Sequence, residues 1–585
     1  MGHAILLLMW MAAAEDLRLH DKGSTFLAMR WHELFDQYTP DTFQPQLLTI
    51  PCLIEEAVEV ASLSNRDDRW KKHLCAVQQE ISGRLYGGVE KSLLTAQECN
   101  VVCEISTSKS TAEVGDLSRL LLLEGFTRRF SETARNRLSD LADAGVEKKK
   151  EDTDLILTLI GSQAFRRGCD ATDYSDYDSM PGCAPQKVVE WILESIPQGE
   201  RSFSCIVAVE MGEPEEQAGI RSVLQHRGIT LASPKIPGLS CNGRWFFFKK
   251  TVKALKDNQA LNALRVEIQD ALNLLGFYQQ SRTPRVRDRG WIYNGDSARE
   301  VDARPRRFDN LHPRRNAVTL AGRATKAISG LRGEAALASA LDLHGQALRA
   351  EEDALRLVNL WSAVECLASL VDGGSIIERV ERLICPIVTW RRIDKILRYL
   401  AINLHFWLKE NPKIERSSIP FPLGPNDAVE PERILTIVSK LEGDHNLNSL
   451  MALTTDHPLL LYRVCSCWKF ASNPREMQKR QAKSEEALRW HLSRIYRARN
   501  LLVHHGIESR FVPQLANHLQ HYLSMTLSRI MHGLTFGEDW TSRDSISHWR
   551  SKYLHVNVAL KEAPESLVVG DFFPEEVQDP GFPVW

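Results

Sequence analysis

The residues best placed to do chemistry sit at the end of one helix-like run, RIYRARNLLVHHG, which closes the stretch Ser484 to His505. Glu485, Glu486 and Ala487 begin that stretch well, apolar residues recur through it at helical spacing, and Gly506 suits a left-handed C-terminal cap. At about 100° per residue, Leu492, Ile495, Arg499 and Leu502 fall on one stripe, so Arg499 stands where a core residue is expected. A guanidinium there needs a carboxylate partner or an anion-binding cleft, because burying it unpaired is costly. Asn500 and His504 lie one turn apart on a neighbouring face, and about 140° of helix separates Arg499 from His504. The two reach one anionic group together only from the rim of a groove or where the helix end distorts.

A partner for Arg499 exists upstream. Glu351 to Leu370 reads as a helix whose apolar stripe is Leu357, Leu360, Trp361, Val364 and Leu367, with Glu365 at the edge of the stripe beside Trp361. A pair between Glu365 and Arg499 would resolve both anomalies, a charge in each of two apolar stripes.

These residues resemble a known family. Arg499-Asn500-Leu501-Leu502-Val503-His504 is similar to the Arg-polar-x3-His signature of HEPN (higher eukaryotes and prokaryotes nucleotide-binding) domains, and Leu357 to Glu365 looks like the acidic helix that accompanies it. The resemblance covers roughly Asn316 to Leu534. It implies an α-helical bundle that dimerises, or assembles further, so that two motifs face each other across a cleft and cleave RNA without a cofactor. His504 would move the proton of the 2′-hydroxyl or of the leaving group, and Arg499 would stabilise the charged transition state. Asn500 fills the polar position as an orienting group, with Glu365 completing the set, and His505 lies outside the pattern. Attack by the 2′-hydroxyl would leave a 2′,3′-cyclic phosphate and spare DNA. Bacterial proteins of this family and size commonly act as toxins or antiviral (phage) defence effectors, which implies cytoplasmic growth arrest or abortive infection under a regulatory partner protein or phage trigger.

A second signal lies further upstream. The strand-like run Leu155 to Ile160 is followed by Gly161-Ser162 and then by Asp176 and Asp178, which resembles the Gly-Ser…Asp-x-Asp pattern of minimal nucleotidyltransferases. That resemblance implies nucleotide phosphates on Gly161 and Ser162 and Mg²⁺ on Asp176 and Asp178, with Glu210 as the third carboxylate. Carboxylates two residues apart on an extended strand point to one side, as a divalent metal requires. The other reading of the segment is a polar surface loop, since Ser179-Met180-Pro181-Gly182 follows Asp178 where the family continues as an apolar strand. Two alternatives to the ribonuclease therefore stand: a nucleotidyltransferase–HEPN fusion using Mg²⁺, and a non-catalytic helical scaffold.

The elements that must position these residues divide the chain into parts. Residues 1–150 read as helices, with examples in Asp116 to Leu123 and Phe130 to Leu141. Residues 151–281 alternate strand-like runs such as Phe203 to Met211 and Arg244 to Phe248 with the helical stretches Gln186 to Ile196 and Ala260 to Tyr278. Residues 282–316 form an Arg- and Pro-rich connection in which Arg304, Arg306, Arg307, Arg314 and Arg315 are candidate RNA phosphate contacts, partly neutralised by interleaved Asp and Glu. Residues 317–540 are long amphipathic helices, and 541–585 read as a tail. The expectation is a mainly α fold: a C-terminal helical bundle, a helical N-terminal region and a small central α/β part.

Composition sets outer bounds. A chain of 585 residues exceeds one hydrophobic core, and 43% hydrophobic with 25% charged residues is ordinary for a globular protein. With a formal net charge of -2, nucleic-acid contact must come from a local basic patch. The longest apolar run, Ala4 to Ala14, falls short of the roughly twenty residues of a membrane helix and lacks the basic flank of a signal, so it reads as a buried first helix with no membrane partner. The 12 cysteines are scattered with no CxxC, which argues for reduced thiols and against structural zinc.

Overall fold

Helix-forming sequence dominates the chain, and the fold is mainly helical with one small antiparallel sheet. The computed structural model describes residues 49–143, 185–302 and 334–572, with positions 30, 31, 34, 153, 156–161 and 164. Within those spans it leaves out 65–67, 87–88, 198, 211–213, 233–244, 280–283, 296, 351, 416–417, 425–427, 440–443, 456, 507–510, 535–539 and 568.

The N-terminal helices are α1 (Ile50–Ser64), α2 (Asp68–Tyr86), α3 (Val89–Ser92), α4 (Ala96–Thr107), α5 (Thr111–Leu123) and α6 (Phe126–Asp143). Local sequence explains their starts. Thr95 accepts the Glu98 amide while the Glu98 carboxylate accepts the Thr95 amide, a reciprocal cap for α4, and Ser110 caps α5 by accepting from Glu113. Helix α1 is central: Leu53, Ile54, Ala57, Val60 and Ala61 are all buried, against α2 on one side and α5 on another. Residues 156–161 are helical, which corrects the strand expected over Leu155 to Ile160. Ile156, Leu157, Leu159 and Ile160 are buried in the same cluster as the N-terminal helices, and a short apolar run buried on all sides has no period by which helix and strand differ. Helix α7 (Pro185–Glu194) closes this part against α6.

The sheet holds β1 (Arg201–Glu210), β2 (Thr230–Leu231), β3 (Trp245–Ala254), β4 (Val286–Tyr293) and β5 (Ala298–Asp302) in the order β2-β3-β1-β4-β5, every pairing antiparallel. Strand β1 is covered on both faces. Cys205, Val207 and Val209 pack on helices α8 (Pro214–His226) and α9 (Asp257–Gln279), and Ile206 and Ala208 pack with Trp291 on the other side. The strands β4 and β5 correct the boundary of the Arg-rich connection, whose first part is sheet. Four of its charges form two ion pairs across these strands, Arg287 with Glu300 at 3.2 Å and Arg289 with Asp302 at 2.7 Å.

The C-terminal bundle contains α10 (Ala335–Arg349), α11 (Asp353–Ala368), α12 (Ile376–Glu410), α13 (Pro431–Val438), α14 (Asp444–Leu453), α15 (Pro458–Ala471), α16 (Pro474–His505), α17 (Val512–Gly533) and α18 (Ser542–Glu562). Helix α12 joins two cores. Val380, Leu383 and Ile384 belong to a cluster shared with α11, α16, α17 and the N-terminal helices, while Ile387, Ile393, Leu397 and Leu400 belong to a second cluster with α13, α14 and α15. The expected tail is corrected as well: α18 buries Ile546, Trp549, Tyr553 and Val556, and its start is capped by Thr541 and Asp544. No helix among the described residues is long and apolar enough to cross a membrane.

Candidate active site

Helix α16 begins ten residues before the expected Ser484, at Pro474, because Asn473 caps it by accepting the Arg475 and Glu476 amides and Pro474 occupies the first turn. It ends as expected. Gly506 adopts the left-handed conformation at φ 64° and its amide closes the last turn onto Leu502.

Helix α11 runs beside α16 and supplies the expected partner. Arg499 Nη2 lies 3.7 Å from Glu365 Oε2, and Arg499 Nη1 donates to Asn500 Oδ1 at 2.9 Å. The other carboxylate oxygen, Glu365 Oε1, accepts from the Trp361 indole at 2.7 Å, so the carboxylate is oriented from its own helix. Trp361 is fully buried and packs its ring against Tyr496, one turn before Arg499, with centroids 5.2 Å apart. Arg499 Nε is buried without a hydrogen-bond partner among the described residues. At 18% side-chain exposure the guanidinium is neither core nor free surface, and its donors are not all taken up by Glu365 and Asn500.

His504 is exposed in the last turn of α16 and makes no hydrogen bond or ion pair among the described residues. Four of the residues expected to act together thus divide in two. Glu365, Arg499 and Asn500 form one cluster, and His504 stands apart from it, as the helical angle requires.

The remaining candidates are placed differently. Gly161 lies within the helical residues 156–161, so a helix rather than a strand leads into it; Ser162, Asp176 and Asp178 lie outside the described residues. Glu210 ends β1, as expected. Arg304, Arg306, Arg307, Arg314 and Arg315 lie outside the described residues.

A second charged cluster, absent from the sequence reading, sits on the same helix. Glu56 of α1 receives Arg494 Nε at 2.8 Å and Nη2 at 2.5 Å on one oxygen; its other oxygen faces His73 Nε2 at 3.0 Å and Arg497 Nη2 at 3.3 Å. Burial alone would raise the Glu56 carboxyl, yet the Arg494 and Arg497 guanidiniums and the His73 hydrogen bond outweigh it and hold it well below the usual carboxylate range. Burial pushes His73 down, so it is the neutral member. Nearby, His491 and His518 face each other at 2.8 Å with no carboxylate between them, and burial lowers both, His518 to about 3. The signal for this cluster was the spacing of Trp490, Arg494 and Arg497, which places Arg494 over the Trp490 ring at 4.4 Å and two guanidiniums on one face.

Compared with family models, curated proteins and solved structures, the chain matches none.

Proposed function

We propose that this protein is a metal-independent endoribonuclease of HEPN type, and the observation that supports the reading is the grouping of Arg499 with Glu365 and Asn500, with the exposed His504 in the last turn of the same helix α16. The Arg499 guanidinium holds a non-bridging phosphate oxygen and stabilises the extra charge of the five-coordinate transition state. His504, an imidazole exposed to solvent, takes the 2′-hydroxyl proton or protonates the departing 5′-oxygen. The 2′-oxygen bonds to phosphorus, the bond to the 5′-oxygen breaks, and the products are a 2′,3′-cyclic phosphate and a 5′-hydroxyl. Nothing in these steps calls for a metal.

One helix end offers one imidazole of the motif, whereas the reaction needs one group to accept a proton and another to donate one. A two-fold symmetric dimer supplies the second, because an isologous interface repeats the same patch on both subunits. The active form is therefore a dimer or a larger assembly. In a cytoplasmic setting, RNA cleavage of this kind arrests growth, which suits a toxin or an antiviral defence effector under a regulatory trigger.

Incubating purified protein with total RNA in the presence of EDTA tests the proposal. Cleavage to cyclic-phosphate ends, with DNA intact, is the expected result. RNA that stays whole at enzyme-equivalent concentrations overturns the reading in favour of a helical scaffold, and cleavage or nucleotide transfer that depends on added Mg²⁺ overturns it in favour of the aspartate pair.

A further inference from the structure

At about 100° per residue, Arg494, Arg497, Leu501 and His504 fall within roughly 80° of one another around α16, on the side away from Arg499. The first two of these are the residues that α1 covers. Arg494 and Arg497 have side chains only 5% and 7% exposed, and the carboxylate they share, Glu56, reaches them from a helix 438 positions earlier in the chain.

The cover is electrically incomplete. One buried carboxylate faces two buried guanidiniums, and the further carboxylate in range, Glu59 at 3.5 Å from Arg497, is half-exposed. Arg494 Nη1 and Arg497 Nε and Nη1 are buried with no hydrogen-bond partner among the described residues. Each such donor stays desolvated in the closed arrangement and regains a partner when the seam opens. Glu56, Arg494 and Arg497 link α1 to α16 through long side chains, at the edge of the hydrophobic cluster that the N-terminal helices share with the bundle.

We propose that the N-terminal helices are a lid over this face of α16, latched by Glu56, and that the phosphates of single-stranded RNA replace Glu56 on Arg494 and Arg497 when the lid opens. This rests on the ribonuclease reading for the identity of the polyanion. A guanidinium accepts phosphate in bidentate geometry as readily as carboxylate, and a polynucleotide brings one phosphate to each arginine where Glu56 must divide itself between two. The opened stripe leads to His504, about 10 Å along the axis from Arg497, so the strand that binds the arginines is delivered to the end of α16 that bears the imidazole.

The test uses the full chain and a uniformly 2′-O-methylated single-stranded oligonucleotide, which lacks the attacking hydroxyl and so reports binding without cleavage. Glu56→Gln keeps the shape and removes the charge; it should bind the oligonucleotide about tenfold tighter than wild type by raising the open fraction. Adding Arg494→Gln and Arg497→Gln should abolish the gain. In the wild-type protein, saturating oligonucleotide should speed hydrogen exchange of the α1 amides, and this readout decides the matter alone should Glu56→Gln fail to fold. Unchanged or weaker binding by a folded Glu56→Gln, or α1 amides equally or better protected in the wild-type complex, overturns the lid. Cleavage of unmodified RNA, assayed separately, reports on the ribonuclease reading and enters neither measurement.

Discussion

The Arg499 guanidinium stands 3.7 Å from the Glu365 carboxylate, close enough for attraction and too far for a hydrogen bond, while Trp361 holds the other carboxylate oxygen at 2.7 Å. Glu365 therefore sets the direction of Arg499 without consuming its donors. Glu365→Gln should cost at most about 1 kcal/mol of stability, since the pair is partly exposed and screened. RNA cleavage should fall about tenfold in kcat with KM within about twofold, because a loosely aimed guanidinium stabilises the transition state less than a fixed one. Steady-state kinetics of the purified variant checks this, and a KM effect with kcat intact would assign Glu365 to binding instead.

His504 and Arg499 should separate activity from stability in different ways. His504 is exposed, so His504→Ala should change stability by less than about 0.5 kcal/mol while lowering cleavage at least about a hundredfold. Arg499→Ala removes the partner of a half-buried carboxylate and should cost about 1 kcal/mol in addition to activity. Thermal midpoints measured beside cleavage rates provide the comparison. A His504→Ala protein that cleaves at full rate removes the imidazole from the chemistry.

The need of Arg499 for a carboxylate could be read from the chain because it follows from helix arithmetic on two local stripes, each marked by a charge out of place. Its angle to His504 could be read for the same reason. The Glu56 cluster could not, because α1 and α16 meet only through tertiary docking and neither local pattern names the other. The strand expected over Leu155 to Ile160 failed where burial on all sides erased the period. In β4 and β5, arginines and prolines nearby masked the alternation, and the cross-strand pairing of Arg289 with Asp302 looked like charge scatter in a linker. Helix α18 was present in the sequence all along, in the stripe Ile546, Trp549, Tyr553, Val556 and in the Thr541 and Asp544 cap; serines, histidines and arginines on the outer face diluted it.

At Gly533 helix α17 lies close against Ser545 of α18. A Cβ placed there would stand 2.6 Å from the Ser545 Cβ and closer still to its hydroxyl, which itself donates to the Ile530 carbonyl at 3.0 Å. Relief requires α18 to move or Ser545 to lose that bond. Gly533→Ala should therefore destabilise by about 1–3 kcal/mol despite the better helix propensity of alanine. Gly533→Ala combined with Ser545→Gly should recover part of the loss, and thermal denaturation of the single and double variants measures both.

The buried pair of His491 and His518 predicts how stability depends on pH. The two rings meet at 2.8 Å, and the charged groups bearing on them are Lys395 and Arg494, both cationic, with Glu56 bearing on His491 already committed to two arginines. Burial first, then Lys395 and Arg494, lowers His518 to about 3 from an ordinary value of 6.5, and burial, His518 and Arg494 lower His491 in the same direction. In this window the unfolded chain binds protons that the folded chain refuses, so stability falls as pH drops below about 6.5 and continues to fall toward the folded value near 3. Each such histidine contributes a slope of about 1.4 kcal/mol per pH unit once well below its unfolded pKa. The Glu56 carboxyl acts in a separate window: its folded pKa is depressed, so its contribution holds above about 4.5 and is lost only below it. Between pH 7 and pH 5.5 the histidines therefore act without Glu56. Replacing both by glutamine should leave a protein whose thermal midpoint declines less over that interval than that of wild type. Equal declines in the two proteins would place the proton uptake elsewhere, at His73, His344 or His457, which burial also lowers.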